Sequence, residues 1–185
     1  MTRHIALIGL CASLFCGGLE SRAFAEPQWD SSLRAGVAGG GTRSSPWQTT
    51  YFYGALNGDV LFGRSSSSDL GLGPFVDIST VGFSDLRLSA GPTLLVPLSS
   101  LVTQVSIGGY VIPTSPSAAG LHTQLFVGGR SYNYHANYSP SLGLVLGLDY
   151  GLSNNQIAMT GAVSIDLEYV AIPFLILYGT FRRGD

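Results

Sequence analysis

Ionisable side chains recur inside the apolar segments of this sequence, at positions where they would face one another rather than water. Nine of them stand out: Arg34, Asp59, Asp77, Asp85, Arg87, Arg130, Asp149, Asp166 and Glu168. Charges that leave bulk water must be paired or hydrated. Six carboxylates and three guanidiniums that share one interior therefore predict a buried ion-pair network, or alternatively the lining of a cation-preferring pore.

Two histidines, His122 and His135, lie beyond the first 25 residues. A zinc site would need further His, Cys or carboxylate ligands at close spacing, and neither histidine has them in sequence. A hydrolase would need a Ser or Thr beside a His that an acid orients, and several serines qualify equally for His122. The Gly-x-Ser-x-Gly turn is missing, because residues 147–151 have this glycine spacing with Asp149 at the centre. The sequence thus predicts no catalytic residue, no cofactor site and no metal site.

The segment 131–140 is the most distinctive connection in the chain, because three tyrosines fall within ten residues. Tyr132, Tyr134 and Tyr138 offer a large contact area at a small entropy cost, as in a binding surface. The same residues would also suit an aromatic belt where strands meet a membrane interface. The sequence leaves both interpretations open.

The elements that would position these side chains are β-strands, most clearly in residues 142–167. One parity of the first half holds Leu142, Leu144, Leu146, Leu148 and Tyr150. The other parity holds Gly143, Val145, Gly147 and Asp149. Residues 157–167 alternate in the same way, and successive strand side chains point to opposite faces, so this is a hairpin with one apolar and one small or polar face. Such alternation is typical of a membrane-spanning barrel wall, with lipid outside and a narrow polar lumen inside.

Similar runs follow one another along the chain. They cover residues 32–40, 49–62, 70–80, 86–98, 101–112, 121–130, 142–150, 157–167 and 174–181. In the first run Arg34 opposes Leu33 and is predicted to face the lumen, because an outward Arg at the bilayer midplane would cost about 2–4 kcal/mol. Since single-chain barrels usually have an even number of strands, nine runs predict eight strands, with ten as the alternative.

Prolines and connections modify this pattern. Pro92 and Pro97 predict a bend or bulge in the fourth run. Residues 113–119 are predicted to form a loop, and residues 171–173 a tight turn before the last run. A short amphipathic helix is the alternative at the end of the chain, although the β-branched and aromatic content disfavours it.

Composition favours a wall that faces lipid over one that faces water. Charged residues make up 11% of the chain, against roughly 25% for a typical soluble domain. The 25 glycines are about twice the usual share. All nine basic residues are arginines and acids outnumber them, which argues against a nucleic-acid surface.

The first 25 residues have the features of a cleavable signal peptide. Arg3 precedes an apolar run over residues 5–15, which is too short for a membrane-spanning helix. The small-x-small pattern at residues 23–25 predicts cleavage before Glu26, with a retained anchor helix as the alternative. Cys11 and Cys16 both fall in this leader, which leaves residues 26–185 as one domain without a disulfide.

With these runs in view, residues 32–181 resemble the small bacterial outer-membrane β-barrel proteins, through the alternating pattern rather than a specific motif. The resemblance implies a closed antiparallel up-and-down β-barrel of about eight strands, with outer-membrane lipid and the barrel-assembly machinery as partners. We expect a structural or surface-interaction role and, since the interior of an eight-stranded barrel is only just wide enough for side chains, a plugged lumen. The lack of a recognisable catalytic motif predicts no enzymatic activity. Such proteins usually end on an aromatic residue, whereas here Phe181 is followed by four further residues.

Two other classes of function stay open. One is a lipid-modifying barrel enzyme, for which His122 would be the catalytic base. The other is a secreted soluble β-sandwich or lipocalin-like binding protein. The direction of the leucines distinguishes the two membrane-barrel hypotheses from the soluble one. Leucines that pack inward beneath a charged exterior would contradict a barrel wall in lipid.

Overall fold

The computed structural model describes residues 27–130, 141–152 and 155–173. Its strands are β1 (Gln28–Thr42), β2 (Ser45–Leu61), β3 (Gly71–Val81), β4 (Asp85–Leu98), β5 (Leu101–Ile112), β6 (Ser115–Gly129), β7 (Leu142–Gly151) and β8 (Gln156–Asp166). Each strand pairs with the next in antiparallel fashion, and β8 pairs with β1, so the sheet closes into a barrel. The predicted closed up-and-down barrel of eight strands is confirmed.

The seam between β1 and β8 explains why nine runs give eight strands. It extends from Ser32 opposite Asp166 to Thr42 opposite Gln156, so the ring closes without the run 174–181, which lies outside the described residues. Residues 167–173 are helical, and the tight turn predicted at residues 171–173 is wrong. The Glu168 backbone N–H donates to Asp166 Oδ1 over 3.0 Å, which caps the start of this helix.

Two further predictions, one about a loop and one about a bulge within a strand, are also wrong. Most of the loop predicted at residues 113–119 belongs to β6, because β5 and β6 stay paired up to Ile112 and Ser115. The bulge predicted at Pro92 and Pro97 is absent, since the pairing of β4 with β5 keeps the same offset on both sides of each proline. The Pro92 ring lies on the outer face of the barrel. The register shifts instead near Gly40 in the β1–β2 pair and near Val111 in the β5–β6 pair.

The two ends of the barrel differ in their connections. At one end, here called the short-turn end, the strands are joined by residues 43–44, 82–84, 113–114 and 152–155. The opposite, long-loop end carries residues 62–70, 99–100 and 130–141, together with the start of β1 and the end of β8. No helix within the described part of the chain has the length and apolar character needed to cross a bilayer.

The faces of the wall follow the predicted parity. Leu144 and Leu146 of β7 are 65% and 61% exposed on the outside, whereas Arg34 and Asp77 are 4% and 0% exposed inside. The inner face is not only small and polar, because Leu61, Phe75 and Leu95 are fully buried there. The barrel therefore has an apolar exterior around a filled interior that mixes apolar and charged groups.

Candidate functional site

At the long-loop end of the lumen, Arg130 ties β6 to β1 and β2. Its guanidinium binds both carboxylate oxygens of Asp59, and its Nε lies 3.7 Å from Asp30 Oδ2. Asp30 and Asp59 are directly opposite each other on β1 and β2, a relation in which two carboxylates repel. The bidentate arginine offsets this repulsion, and Gln104 Nε2 of β5 donates to Asp59 Oδ2 over 2.9 Å.

The connection between β2 and β3 closes this end with a buried arginine. Arg64 is 2% exposed and donates Nη1 to Gln28 Oε1 over 3.1 Å and Nε to the Asp69 carbonyl over 3.2 Å. The Asp69 carboxylate accepts hydrogen bonds from the Ser65 hydroxyl and from the backbone N–H groups of Ser65 and Ser66. These donors, the Ser65 hydroxyl foremost, lower the pKa of Asp69 to about 2. The connection is thus an ordered cap over the lumen.

In the middle of the barrel, Arg34 of β1 bridges to β3 and β6. Its Nη1 lies 3.4 Å from Asp77 Oδ2 and also donates to Gln124 Oε1. Arg34 Nε and Asp77 Oδ1 are buried without a hydrogen-bond partner. Desolvation of such a pair offsets much of its attraction, so the pair adds little net stability and mainly links β1 to β3 across the inner face of β2.

Nearer the short-turn end, one carboxylate holds two basic side chains. Arg87 Nη1 of β4 donates to Asp149 Oδ2 of β7 over 2.5 Å, and His122 Nδ1 of β6 lies 2.6 Å from Asp149 Oδ1. The His122 ring tilts against Phe75, with the ring centroids 5.9 Å apart. Arg87 Nε and His122 Nε2 are buried without a hydrogen-bond partner. The predicted ion-pair network is therefore present, and each of its arginine–carboxylate pairs joins residues in, or next to, strands that are not neighbours in the sheet.

Above the Arg87–Asp149 pair lies a cavity of 280 Å³, here called the vestibule, at the short-turn end. Arg87, Tyr110 and Asp149 form its floor. The walls come from the short-turn ends of β1, β2, β3, β4 and β8. They combine uncharged polar residues with glycine and apolar residues, together with the half-buried Asp85. The vestibule brings charged groups of β4 and β7 to the lining of one cavity.

The structure places most of the nine predicted lumen residues inside the barrel. The side chains of Arg34, Asp59, Asp77, Arg87, Arg130, Asp149 and Asp166 are buried. Asp85 lies at the wall of the vestibule. Glu168 is exposed, and its predicted lumen position is wrong, because β8 ends at Asp166 and strand parity no longer applies in the helix that follows.

Sequence reasoning missed two charged members of the lumen. Asp30 was missed because the first strand was predicted to begin at Ser32, whereas β1 begins at Gln28. Extending the parity of Arg34 back along the strand would have found it. Arg64 lies in a serine-rich connection, and no signal in the sequence distinguishes a buried arginine there.

His122 and His135 are the two histidines considered above for catalysis and metal binding. His122 is 4% exposed and faces the lumen, so its ring does not reach the outer, apolar face where a lipid substrate would lie. Within residues 27–130, 141–152 and 155–173, no cluster of three or more His, Cys or acidic residues is arranged to hold a metal ion. His135 and the tyrosines of residues 131–140 fall outside the described residues, and the absence of enzymatic activity stays a prediction.

Comparison with known proteins gives no assignment. No protein-family model matches the chain, and no curated protein has a matching sequence. The function is therefore inferred from the geometry of the barrel, the ion pairs of its lumen and the vestibule.

Proposed function

We propose that this protein is a small integral outer-membrane β-barrel with a structural or surface-interaction role, whose lumen does not conduct ions. The observation that carries the proposal is the reversed distribution of polarity across the wall. Ionised groups pair inside the barrel, and every one of the eight strands exposes large apolar side chains on the outer face. A water-soluble barrel would have the opposite arrangement, with charge on the outside.

Two features of the outer face support this proposal: the size of its exposed apolar area and the tryptophans near its two ends. Monomeric soluble proteins rarely expose contiguous apolar patches larger than a few hundred Å². Here Leu144, Ile107 and Val76, on three different strands, are each more than half exposed. Trp47 near the short-turn end and Trp29 near the long-loop end are 52% and 58% exposed, which suits the two interfaces of a bilayer.

The same reversal argues against a lipocalin-like binder. Such a protein would hold an apolar ligand in an apolar cup, and the lumen here is crossed by Arg34, Arg87 and Arg130 with their acidic partners. The closed barrel also excludes the β-sandwich. In an eight-stranded barrel the interior is only just wide enough for side chains to fill it, which supports a lumen closed to ions.

The proposal is tested by fractionating cells that express the full chain. We expect the protein in the outer-membrane fraction, resistant to carbonate extraction, and migrating faster on a gel before boiling than after it. Recovery in the aqueous phase without detergent would overturn membrane insertion. In planar bilayers the purified protein should give no steady current, and a stable cation-selective conductance would overturn the plugged lumen while leaving insertion intact.

A further inference from the structure

We infer that one edge of β2 at the short-turn end binds an extended peptide segment of another protein, in which basic residues alternate with apolar ones. This edge, here called the free edge, consists of residues 48–52 on the side of β2 that faces β3. Three features carry the inference: unpaired backbone groups, a stacked pair of aromatic rings and a nearby acidic side chain. The binding would give a partner to the surface-interaction role proposed above, on which the inference rests.

The hairpin of β1 and β2 extends beyond the end of β3. The pairing of β2 with β3 stops at Tyr53, whereas its pairing with β1 continues to the start of β2. The Gly82 N–H donates to the Phe52 carbonyl over 2.8 Å, so the backbone groups of Phe52 point to the β3 side. Alternate residues of a strand direct these groups to the same side, so those of Thr50 and Gln48 follow. Within the described residues, the backbone of Thr50 has no partner on this side.

An edge of this kind is a template for a further strand. Its unpaired N–H and C=O groups would be costly in hydrocarbon, so in a membrane-inserted barrel the free edge lies in the aqueous phase. Two copies of this chain related by a two-fold axis would have to pair their free edges in antiparallel fashion. That pairing sets the short-turn ends of the two barrels against each other, which copies inserted the same way in one membrane cannot achieve. A separate extended segment has no such restriction.

The outer side of the free edge carries a pair of stacked rings. The ring centroids of Phe52 and Phe83 lie 4.7 Å apart, with an angle of 9° between the planes. Phe83 is 77% exposed and has a φ of 60°, a conformation that bulky residues rarely adopt. A strained, exposed aromatic residue beside an unpaired strand edge indicates a contact surface. The two rings can hold an apolar side chain that the bound segment directs outward.

The inner side of the free edge faces the vestibule, which selects the alternate residue. Successive side chains of the bound strand point to opposite faces, so every second one points towards the lining. Arg87 and Asp149 compensate each other there at 2.5 Å, and Asp85 leaves the lining with a net negative charge. Asp85 is directly opposite Val81, the last residue of β3, whose line the bound strand would continue. A lysine or arginine is therefore favoured over an acid at the inward position.

The test uses isotope-labelled full-length protein, refolded in an amine-oxide detergent. Backbone NMR signals of Gln48, Thr50 and Phe52 are followed during titration with a short peptide that alternates arginine with valine. One matched peptide has glutamate in place of arginine, and another carries N-methyl groups throughout its backbone. We expect saturable shifts with the arginine peptide, binding about tenfold weaker with the glutamate peptide and none with the N-methylated one.

Several outcomes overturn the inference. They are binding that is unchanged by the N-methyl groups or by the exchange of charge, no saturation with any peptide, and self-association through the free edge without peptide. Because the titration is made in detergent, its failure leaves membrane insertion untouched, which fractionation tests separately.

Variants locate the contact on the free edge. Thr50→Pro removes an N–H of the edge but no bond of the β1–β2 ladder, a position where a strand tolerates proline. It should weaken peptide binding about tenfold, since one hydrogen bond is lost. Thr50→Ala is the matched control, because it keeps the N–H and loses the same side-chain bond from Trp47.

Phe83→Gly removes the outer ring and suits the positive φ, so it should fold normally and bind the arginine peptide more weakly. Heat-modified gel mobility verifies that each variant is folded. Unchanged binding by folded Thr50→Pro and Phe83→Gly would place the peptide elsewhere and overturn the inference.

Discussion

Arg87 of β4 and Asp149 of β7 meet across the lumen, with Nη1 and Oδ2 2.5 Å apart, although two strands, β5 and β6, lie between them in the sheet order. Asp149 also binds His122, so removal of the arginine leaves a buried carboxylate with one partner. We expect Arg87→Met to destabilise the barrel by about 3–5 kcal/mol, because an uncompensated buried charge is costly. Urea unfolding in detergent, followed by tryptophan fluorescence, measures the change.

A double variant distinguishes the loss of the Arg87–Asp149 attraction from the cost of a buried carboxylate that has lost its arginine. Arg87→Met combined with Asp149→Leu should be less destabilised than the single arginine variant, because no buried charge remains alone. Arg43→Met is the control, since Arg43 lies exposed at the short-turn end and contacts Gly151 and Tyr150. It should change stability by less than about 1 kcal/mol. Equal destabilisation by Arg43→Met and Arg87→Met would contradict the role of burial.

A pair of leucines on the outer face tests whether hydrocarbon surrounds the wall. Leu146 in the middle of β7 and Leu152 just beyond its end are 61% and 62% exposed. In a bilayer, Leu146→Arg should cost about 2–4 kcal/mol and Leu152→Arg about 0–1 kcal/mol, because the cost of a charge falls towards the interface. Refolding equilibria in lipid vesicles measure both. Similar small effects at the two positions would indicate that water contacts the middle of the wall.

The β1–β8 seam requires a glycine at one position and tolerates a side chain beside it. A Cβ added to Gly36, which points inward, would lie 2.1 Å from the carbonyl oxygen of Gly161. A Cβ on Gly161 would meet nothing within 4 Å. We therefore expect Gly36→Ala to destabilise the barrel by about 1–3 kcal/mol and Gly161→Ala to be neutral. Unfolding midpoints of the two variants in urea provide the comparison, and the reverse order would show that the seam is packed differently.

The Asp69 carboxylate should titrate near pH 2 in the folded protein. The usual aspartate pKa is about 3.9, so its folded-state pKa is depressed. Its contribution to the stability of the β2–β3 connection is therefore present above about pH 4 and is lost as the pH falls through about 2. The carboxyl carbon shift measured by NMR between pH 1.5 and about 5 tests this. A midpoint near 4 would mean that the hydrogen bonds from Ser65 and Ser66 do not form in solution.

Asp69→Asn gives the complementary variant for the same connection. It keeps a side-chain oxygen but removes the charge that strengthens the bonds from Ser65 and Ser66. The protection of the Ser65 and Ser66 amides against hydrogen exchange, relative to the intrinsic rate at each pH, should fall in this variant at neutral pH. It should no longer change as the pH falls through about 2. Unchanged exchange would show that the carboxylate does not order the connection.

Much of the lumen was predictable because a strand gives each residue a face. Once Leu33 and Leu56 were assigned outward, Arg34 and Asn57 had to point inward, and the structure places both there. The prediction failed where that rule stops applying. Glu168 follows the last strand in a helix. Pro92 sits in an unshifted strand at a position where β4 does not pair with β5, so its missing N–H removes no bond to that strand.

The sequence by itself determined the class of fold and the direction of most side chains, because alternation with a period of two is a local property of an extended chain. Only the tertiary structure decided which charges meet. Arg130 reaches Asp59, Arg34 reaches Asp77 and Arg87 reaches Asp149 across distances of 71, 43 and 62 residues in sequence. These partners depend on register and closure of the whole ring, and so does the vestibule above them. Closure likewise decided the number of strands, since β8 leaves no unpaired edge of β1 for a further strand.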